Sequence, residues 1–186
     1  MLHVCTPLFR FKNLNDIYNS LPNENCVTWH ISYTQENEKP NFKKNKINVI
    51  FYPVDCLEKE TFKKRNAIFE NINDGYFCLL DDDTIFHQNM LCEYKKMLRL
   101  DYQGMLIGQQ IFKDGKLRLK ANLPMNCMID TGNVLCHHSC LKKCKWPEKI
   151  SKIHNRDYLF WKDVYVFYNY KFKLIHEPIS YYNKLR

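Results

Sequence analysis

Over residues 2–80, stretches with strand periodicity alternate with stretches of helical spacing, and few folds accommodate that order. "LHVCTPL" (2–8) is rich in strand formers. "NLNDIYNSL" (13–21) carries apolar residues at helical spacing, with Asn13 or Asn15 as N-cap and Leu21-Pro22 as the stop. "CVTWHISYT" (26–34) alternates with period two, the mark of a strand. "QENEKPNFKKNK" (35–46) reads as a polar loop. "INVIFYPV" (47–54) is almost continuously apolar, as expected of a strand buried on both faces. In "LEKETFKKRNAIFENI" (57–72), Phe62, Ile68, Phe69 and Ile72 fall on one side of a helix. Asn73-Asp74-Gly75 ends that helix, and "YFCLL" (76–80) follows as a strand. This order predicts an α/β fold with a mostly parallel central sheet and helices on both of its faces.

The second half reads differently. "GMLIGQQIF" and "GKLRLKA" meet at Lys113-Asp114-Gly115, a hairpin turn, which adds a small antiparallel element. "CMIDTGNVLCHHSCLKK" follows, then an aromatic helix, "NRDYLFWKDVYVFYNY", and the closing strand "FKLIHEPISYY". No repeat, low-complexity segment or linker interrupts the chain, so residues 1–186 read as a single domain.

Behind the apolar strand "YFCLL" stand Asp81, Asp82 and Asp83. Adjacent carboxylates repel one another and enter a core only with positive charge among them. A helix cap needs one such residue, not three. A hard divalent cation, as at a magnesium or manganese site or a phosphoryl-transfer centre, often binds through one or two carboxylates plus phosphate oxygens. In parallel sheets ligands bind where loops leave the carboxyl ends of strands, which is where these aspartates fall.

The rest of the composition narrows the class. Hydrophobic residues make up 45% and aromatics 15%, which excludes disorder. No apolar run reaches transmembrane length, and "MLHVCTPLF" lacks the pattern of a signal peptide. A complete cytoplasmic protein is expected, with room for peripheral contact with a membrane. Nine cysteines without scaffold spacing read as free thiols in a reducing compartment. The net charge of +8 favours an anionic partner. No nucleic-acid-binding signature accompanies it, so nucleic acid is not expected.

"KKRNAIFENINDGYFCLLDDDT" resembles the metal-binding segment of GT-A type glycosyltransferases, particularly the family 2 group. In that family an Arg-Asn pair on a helix precedes a Gly, an apolar strand and an Asp-x-Asp motif. The counterparts are Arg65, Asn66, Gly75, Tyr76–Leu80, and Asp81 with Asp83. "CTPLFRFKNLNDIYNSL" is similar to the family's first strand, Thr/Pro turn and first helix. "IDTGN" (129–133) is similar to its acceptor loop. "NRDYLFWKDV" resembles its Glu-Asp segment, with Asp157 in the base position and Arg156 where Glu is usual. "KLIHEP" offers His176 where many such enzymes place a metal-ligating histidine.

The resemblance implies a Rossmann-like GT-A fold, with residues 1–86 binding a nucleotide sugar and residues 87–186 the acceptor. It implies a metal-dependent transfer from a UDP-sugar to a glycan hydroxyl, with Mn²⁺ or Mg²⁺ as cofactor. Asp83, Asp81 and His176 would ligate the metal. Thr6, Pro7, Arg65, Asp81 and Asp82 would contact the donor, and Gly132 and Asp130 would form the acceptor loop. Asp157 would be the general base of an inverting reaction; were it remote from the sugar, a retaining reaction would fit better.

The chain departs from the family at its second strand, which ends "ISYTQE" with no aspartate to hold the base; Tyr33 or main-chain groups near Thr6 would serve instead. A nucleotidyltransferase would share the sheet and acidic site, but "CTPLFRF" has no glycine for its phosphate loop. A basic nucleic-acid or partner-binding module is the non-enzymatic alternative. Cys136, Cys140 and Cys144 recur every four residues beside Cys127, His137 and His138. This places the three on one helix face and favours buried thiols over a zinc site, since no second knuckle follows.

Overall fold

The computed structural model describes residues 1–34, 47–57, 60–124, 128–148 and 156–186. The polar stretch 35–46 and Cys127 lie outside the described residues. The alternating pattern of the first half folds as read: β1 (Leu2–Pro7), α1 (Leu14–Ser20), β2 (Val27–Thr34), β3 (Asn48–Val54), α2 (Thr61–Phe69) and β4 (Tyr76–Leu79). The glycine between α2 and β4 is required by its surroundings. Gly75 has φ +64°, and a Cβ there would stand 2.1 Å from the Met1 carbonyl oxygen, which already accepts the Tyr76 amide.

After the aspartates come β5 (Ile85–Phe86) and α3 (Gln88–Arg99), then β6 (Met105–Ile111), β7 (Leu117–Leu119), β8 (Val134–His137), α4 (Arg156–Phe167) and β9 (Phe172–Tyr181). The strands run in the order β3-β2-β1-β4-β8-β6-β9-β5, with β7 paired to β6. β1 to β4 are mutually parallel, whereas β8 is antiparallel to both β4 and β6, and β9 runs parallel to β6. The fold is therefore α/β, with a parallel half and an antiparallel extension larger than the hairpin predicted from sequence.

Strand alternation divides the core into two layers. Val4, Trp29, Cys78 and Leu106 face Ile17, Tyr18, Met90 and Tyr94 of α1 and α3. Cys5, Phe77, Leu79 and Ile107 face Phe62, Ile68, Phe69, Phe160 and Trp161 of α2 and α4. Helices cover both faces, as each strand's apolar residues of both parities demand.

Three local expectations change. β3 is half-exposed and lies at the sheet's edge among the described strands. Its apolar run suggested burial on both faces, but Pro53 has no amide to donate, which suits an edge. Asn13 does precede α1, yet its side chain donates to the Asp82 carbonyl oxygen at 2.8 Å instead of capping. Cys136 lies in β8 and Cys140 in a short 3₁₀ turn, so the cysteines do not share a helix. They are buried in the second core layer all the same. Among the described residues no helix is long and apolar enough to cross a membrane.

Candidate functional site

β1 is where the chain changes direction across the sheet: β2 and β3 extend to one side of it and β4 to the other. A crevice opens at the carboxyl ends of β1 and β4, the usual ligand position in such sheets. Pro7, Phe9 and Arg10 leave β1 there, and Asp81, Asp82 and Asp83 leave β4. Together with Thr61, Arg65, Asp130, Tyr182, Asn183 and Arg186 they line a pocket of about 200 Å³.

The three aspartates do different work. Asp82 is buried, and its Oδ2 accepts the Phe9 and Arg10 amides, each at 2.6 Å, while Arg10 Nη1 donates to Oδ1 at 2.6 Å. It ties the turn after β1 to the turn after β4. Burial pushes its carboxyl above the ordinary range, against the pull of those amides and of Arg10. Asp83 Oδ2 accepts from Arg10 Nη1 at 3.0 Å and from Arg186 Nε at 2.5 Å. Asp81 is the most open, its side chain 40% exposed; it accepts from Arg65 Nη2 at 2.9 Å and from the Thr131 hydroxyl at 3.3 Å.

Arg65 is the hub. Its guanidinium lies 4.2 Å from the Trp146 ring centroid, and its Nη1 stands 3.5 Å from Asp157 Oδ1. One planar fork thus links the acidic loop to the first turn of α4. Burial raises Asp157 to about 7, with the carboxylates of Asp130 and Asp81 adding to the shift and Arg65 opposing it. Near neutral pH this carboxyl is poised to take up a proton. Asp130 pairs with Arg118 at 2.9 Å and accepts the Gly132 amide at 3.1 Å.

The pocket therefore gathers Pro7, Arg65, Asp81, Asp82, Asp83 and Asp130, and Arg65 connects Asp157 to it. Other expected residues lie elsewhere. The Thr6 hydroxyl is buried and accepts the Trp29 indole N–H at 2.9 Å, so it faces the core. Tyr33 is buried edge-on to Phe51. A Cβ on Gly132 would meet the Gln110 amide at 2.5 Å and the Ser180 hydroxyl at 2.9 Å, so packing against these side chains accounts for a glycine here. His176 is exposed on β9 where the β6–β9 register is interrupted, and it lines no part of the pocket.

Sequence reasoning missed Arg10, Arg118, Tyr182, Asn183 and Arg186. Arg10 sits in the quoted "CTPLFRF", three residues beyond Pro7, and that proximity was the available signal. Tyr182, Asn183 and Arg186 reach the pocket only through the return of β9, and Arg118 meets Asp130 from β7. Among the described residues no three His, Cys, Asp or Glu side chains converge on a common metal position. Asp81 and Asp83 still supply oxygen donors to a pocket, and Mg²⁺-type ions commonly bind through one or two carboxylates plus phosphate oxygens. That donor set fits such an ion.

Solved structures of S. aureus TarS, a glycosyltransferase, are similar to this chain. The protein comprising residues 1–349 matches with a TM-score of 0.75 at 14% identity, over 97% of this chain and 59% of that chain. Its complex with UDP-GlcNAc matches with a TM-score of 0.75 at 14% identity, over 97% and 57%. Its complex with UDP gives 0.76 at 13%, over 97% and 59%. The chain thus spans less than two thirds of that protein, and likeness at this identity shows a shared fold. No family model matches the sequence, and no curated protein matches it.

Proposed function

We propose that this chain is a GT-A type glycosyltransferase that moves a sugar from a nucleotide sugar, most simply a UDP-sugar, to a hydroxyl of a glycan acceptor. The observation that carries the reading is the acidic loop 81–83 at the carboxyl end of β4. It faces an arginine-lined pocket at the point where the sheet's connections change direction. The fold shared with TarS, which binds UDP-GlcNAc, supports the choice of donor. Residues 1–86 supply the donor side of the pocket; residues 87–186 supply Asp130, Asp157 and the return of β9, the acceptor side.

Asp81 and Asp83 would hold a divalent cation, whose charge, when bound, offsets the charge developing on the diphosphate leaving group. Charge balance favours that arrangement. Five carboxylates, those of Asp81, Asp82, Asp83, Asp130 and Asp157, face four guanidiniums, those of Arg10, Arg65, Arg118 and Arg186, so the site holds no spare positive charge. A bare diphosphate would add uncompensated negative charge, whereas a diphosphate with a divalent cation adds none.

Arg65 orients the site, holding Asp81 on one side and Asp157 on the other. Asp157 accepts the proton of the acceptor hydroxyl as that oxygen attacks the anomeric carbon. A base with a pKa near the working pH is the efficient choice, and such assistance contributes about 10²–10⁴-fold. Attack opposite the leaving group inverts the anomeric centre.

The test is a turnover screen of the purified chain against UDP-, GDP- and dTDP-sugars with and without Mn²⁺. Turnover of one donor class, dependent on the metal and abolished by Asp83→Ala, is expected. Turnover that ignores both the metal and that substitution would overturn the role given to the acidic loop. Retained anomeric configuration in the product would remove Asp157 as the base.

A further inference from the structure

Residues 182–186 turn back across the acidic loop and cover Asp83. The Leu185 amide donates to the Asp83 carbonyl oxygen at 3.1 Å, and Arg186 Nε donates to Oδ2 at 2.5 Å. With its amide turned to donate, Asn183 adds a contact to the same oxygen at 2.9 Å and to Oδ1 at 3.2 Å. The two partners of the ion pair differ sharply in exposure: the Asp83 side chain is 3% exposed and that of Arg186 is 56%. A buried carboxylate is thus neutralised from the solvent side by a cation on a long, accessible side chain.

Arg10 holds the same oxygen but is anchored differently. Its guanidinium also bonds Asp82, and its backbone amide is tied to Asp82 as well. Of the two guanidiniums on Asp83, Arg186 is the one free to leave. Its position matters for volume too. The pocket holds about 200 Å³, below the roughly 300–1,000 Å³ of ordinary small-molecule sites. Tyr182 and Asn183 line both this pocket and a neighbouring groove of about 500 Å³ formed with Phe112, Lys113 and Asp114.

We propose that Arg186 is the resident counter-cation of Asp83, and that a divalent cation and Arg186 exchange at this carboxylate. Cation entry releases residues 182–186 from the acidic loop and opens the pocket toward the groove. The inference rests on the reading that Asp81 and Asp83 hold such a cation. It adds that the site as folded is closed by the chain's own arginine, which sets how much cation is needed to open it.

Direct Mn²⁺ binding, followed by the loss of the free-ion paramagnetic signal without nucleotide, tests this on the full chain. The proteins compared are the wild type, Arg186→Gln, Arg186→Lys and Asp83→Asn. If Arg186 leaves Asp83 free about a tenth of the time, Arg186→Gln binds Mn²⁺ about tenfold more tightly, because apparent affinity scales with the competent fraction. Arg186→Lys, which keeps the charge but not the guanidinium contact, falls between the two. In the wild type, Mn²⁺ also speeds phenylglyoxal modification of Arg186, read by peptide mass.

Wild-type binding that Asp83→Asn abolishes, combined with unchanged affinity in Arg186→Gln or an unchanged modification rate, overturns the exchange and leaves the cation site standing. No Mn²⁺ binding in either wild type or Arg186→Gln overturns both.

Discussion

Two polar chains run through this sheet, one at the carboxyl ends of β1 and β4 and one across β1, β2 and β3. The first is made of full charges, aspartates matched by arginines, and it borders a pocket. The second links Asp74 to His3 at 2.8 Å, His3 to His30 at 2.9 Å, and His30 to the Tyr52 hydroxyl at 2.8 Å. Burial, reinforced by the charge of His3, lowers His30 to about 3, so this imidazole stays neutral. The histidine chain is satisfied within itself and serves the packing of three strands. The aspartate chain is compensated by side chains that reach into a void, one of which is more than half exposed. Formal charges brought together beside open space mark a place for a ligand; buried imidazoles bonded in series, with their one carboxylate at the surface, mark scaffold.

Substitutions can break that contrast, beginning with Asp82. Asp82→Ala strips the partners from two backbone amides and Arg10, at a cost of about 3–5 kcal/mol. Melting should fall by roughly 10 °C and turnover should vanish with it; calorimetry showing an unshifted transition would remove its anchoring role. Asp157→Asn sharpens the chemistry. Turnover should drop by about 10²–10⁴-fold while the far-ultraviolet dichroism is kept. The wild-type rate should rise with pH through about 7 as Asp157 loses its proton, a limb absent from the variant.

The histidine chain should respond in the opposite way. An imidazole held neutral in the fold binds more protons once unfolded, so stability is full above pH 6.5 and declines as the pH falls toward about 3. His30→Gln should flatten that decline in urea titrations and leave donor turnover at pH 8 unchanged. Loss of turnover in this variant would join the two regions that the geometry separates.

Much of the fold was legible because hydrophobic period reports local structure directly. β1, β2, β4 and both helices between them follow from it, as does the Gly75 turn. The stretch forming α3 received no assignment, although Met90, Tyr94 and Met97 have helical spacing; its cap is the His87 side chain, accepting the Asn89 amide, an uncommon cap that propensity does not flag. The grouping of the aspartates, Arg65 and Asp157 in space was legible from a motif whose members lie near one another or in a familiar order.

Arg10 and Arg186 were not, since their roles depend on contacts spanning 72 and 103 residues that only the sheet order creates. His176 lies outside the pocket for the related reason that a register interruption in β9 decides which of its residues arrive there.

If residues 81–83 engage a diphosphate together with a cation, the two ligands must bind cooperatively. Calorimetric titration of UDP into the wild-type chain and into Asp83→Ala, each with and without Mn²⁺, tests it most directly. UDP binding should strengthen with Mn²⁺ in the wild type and lose that dependence in the variant. UDP affinity equal in both proteins and indifferent to the metal would contradict it.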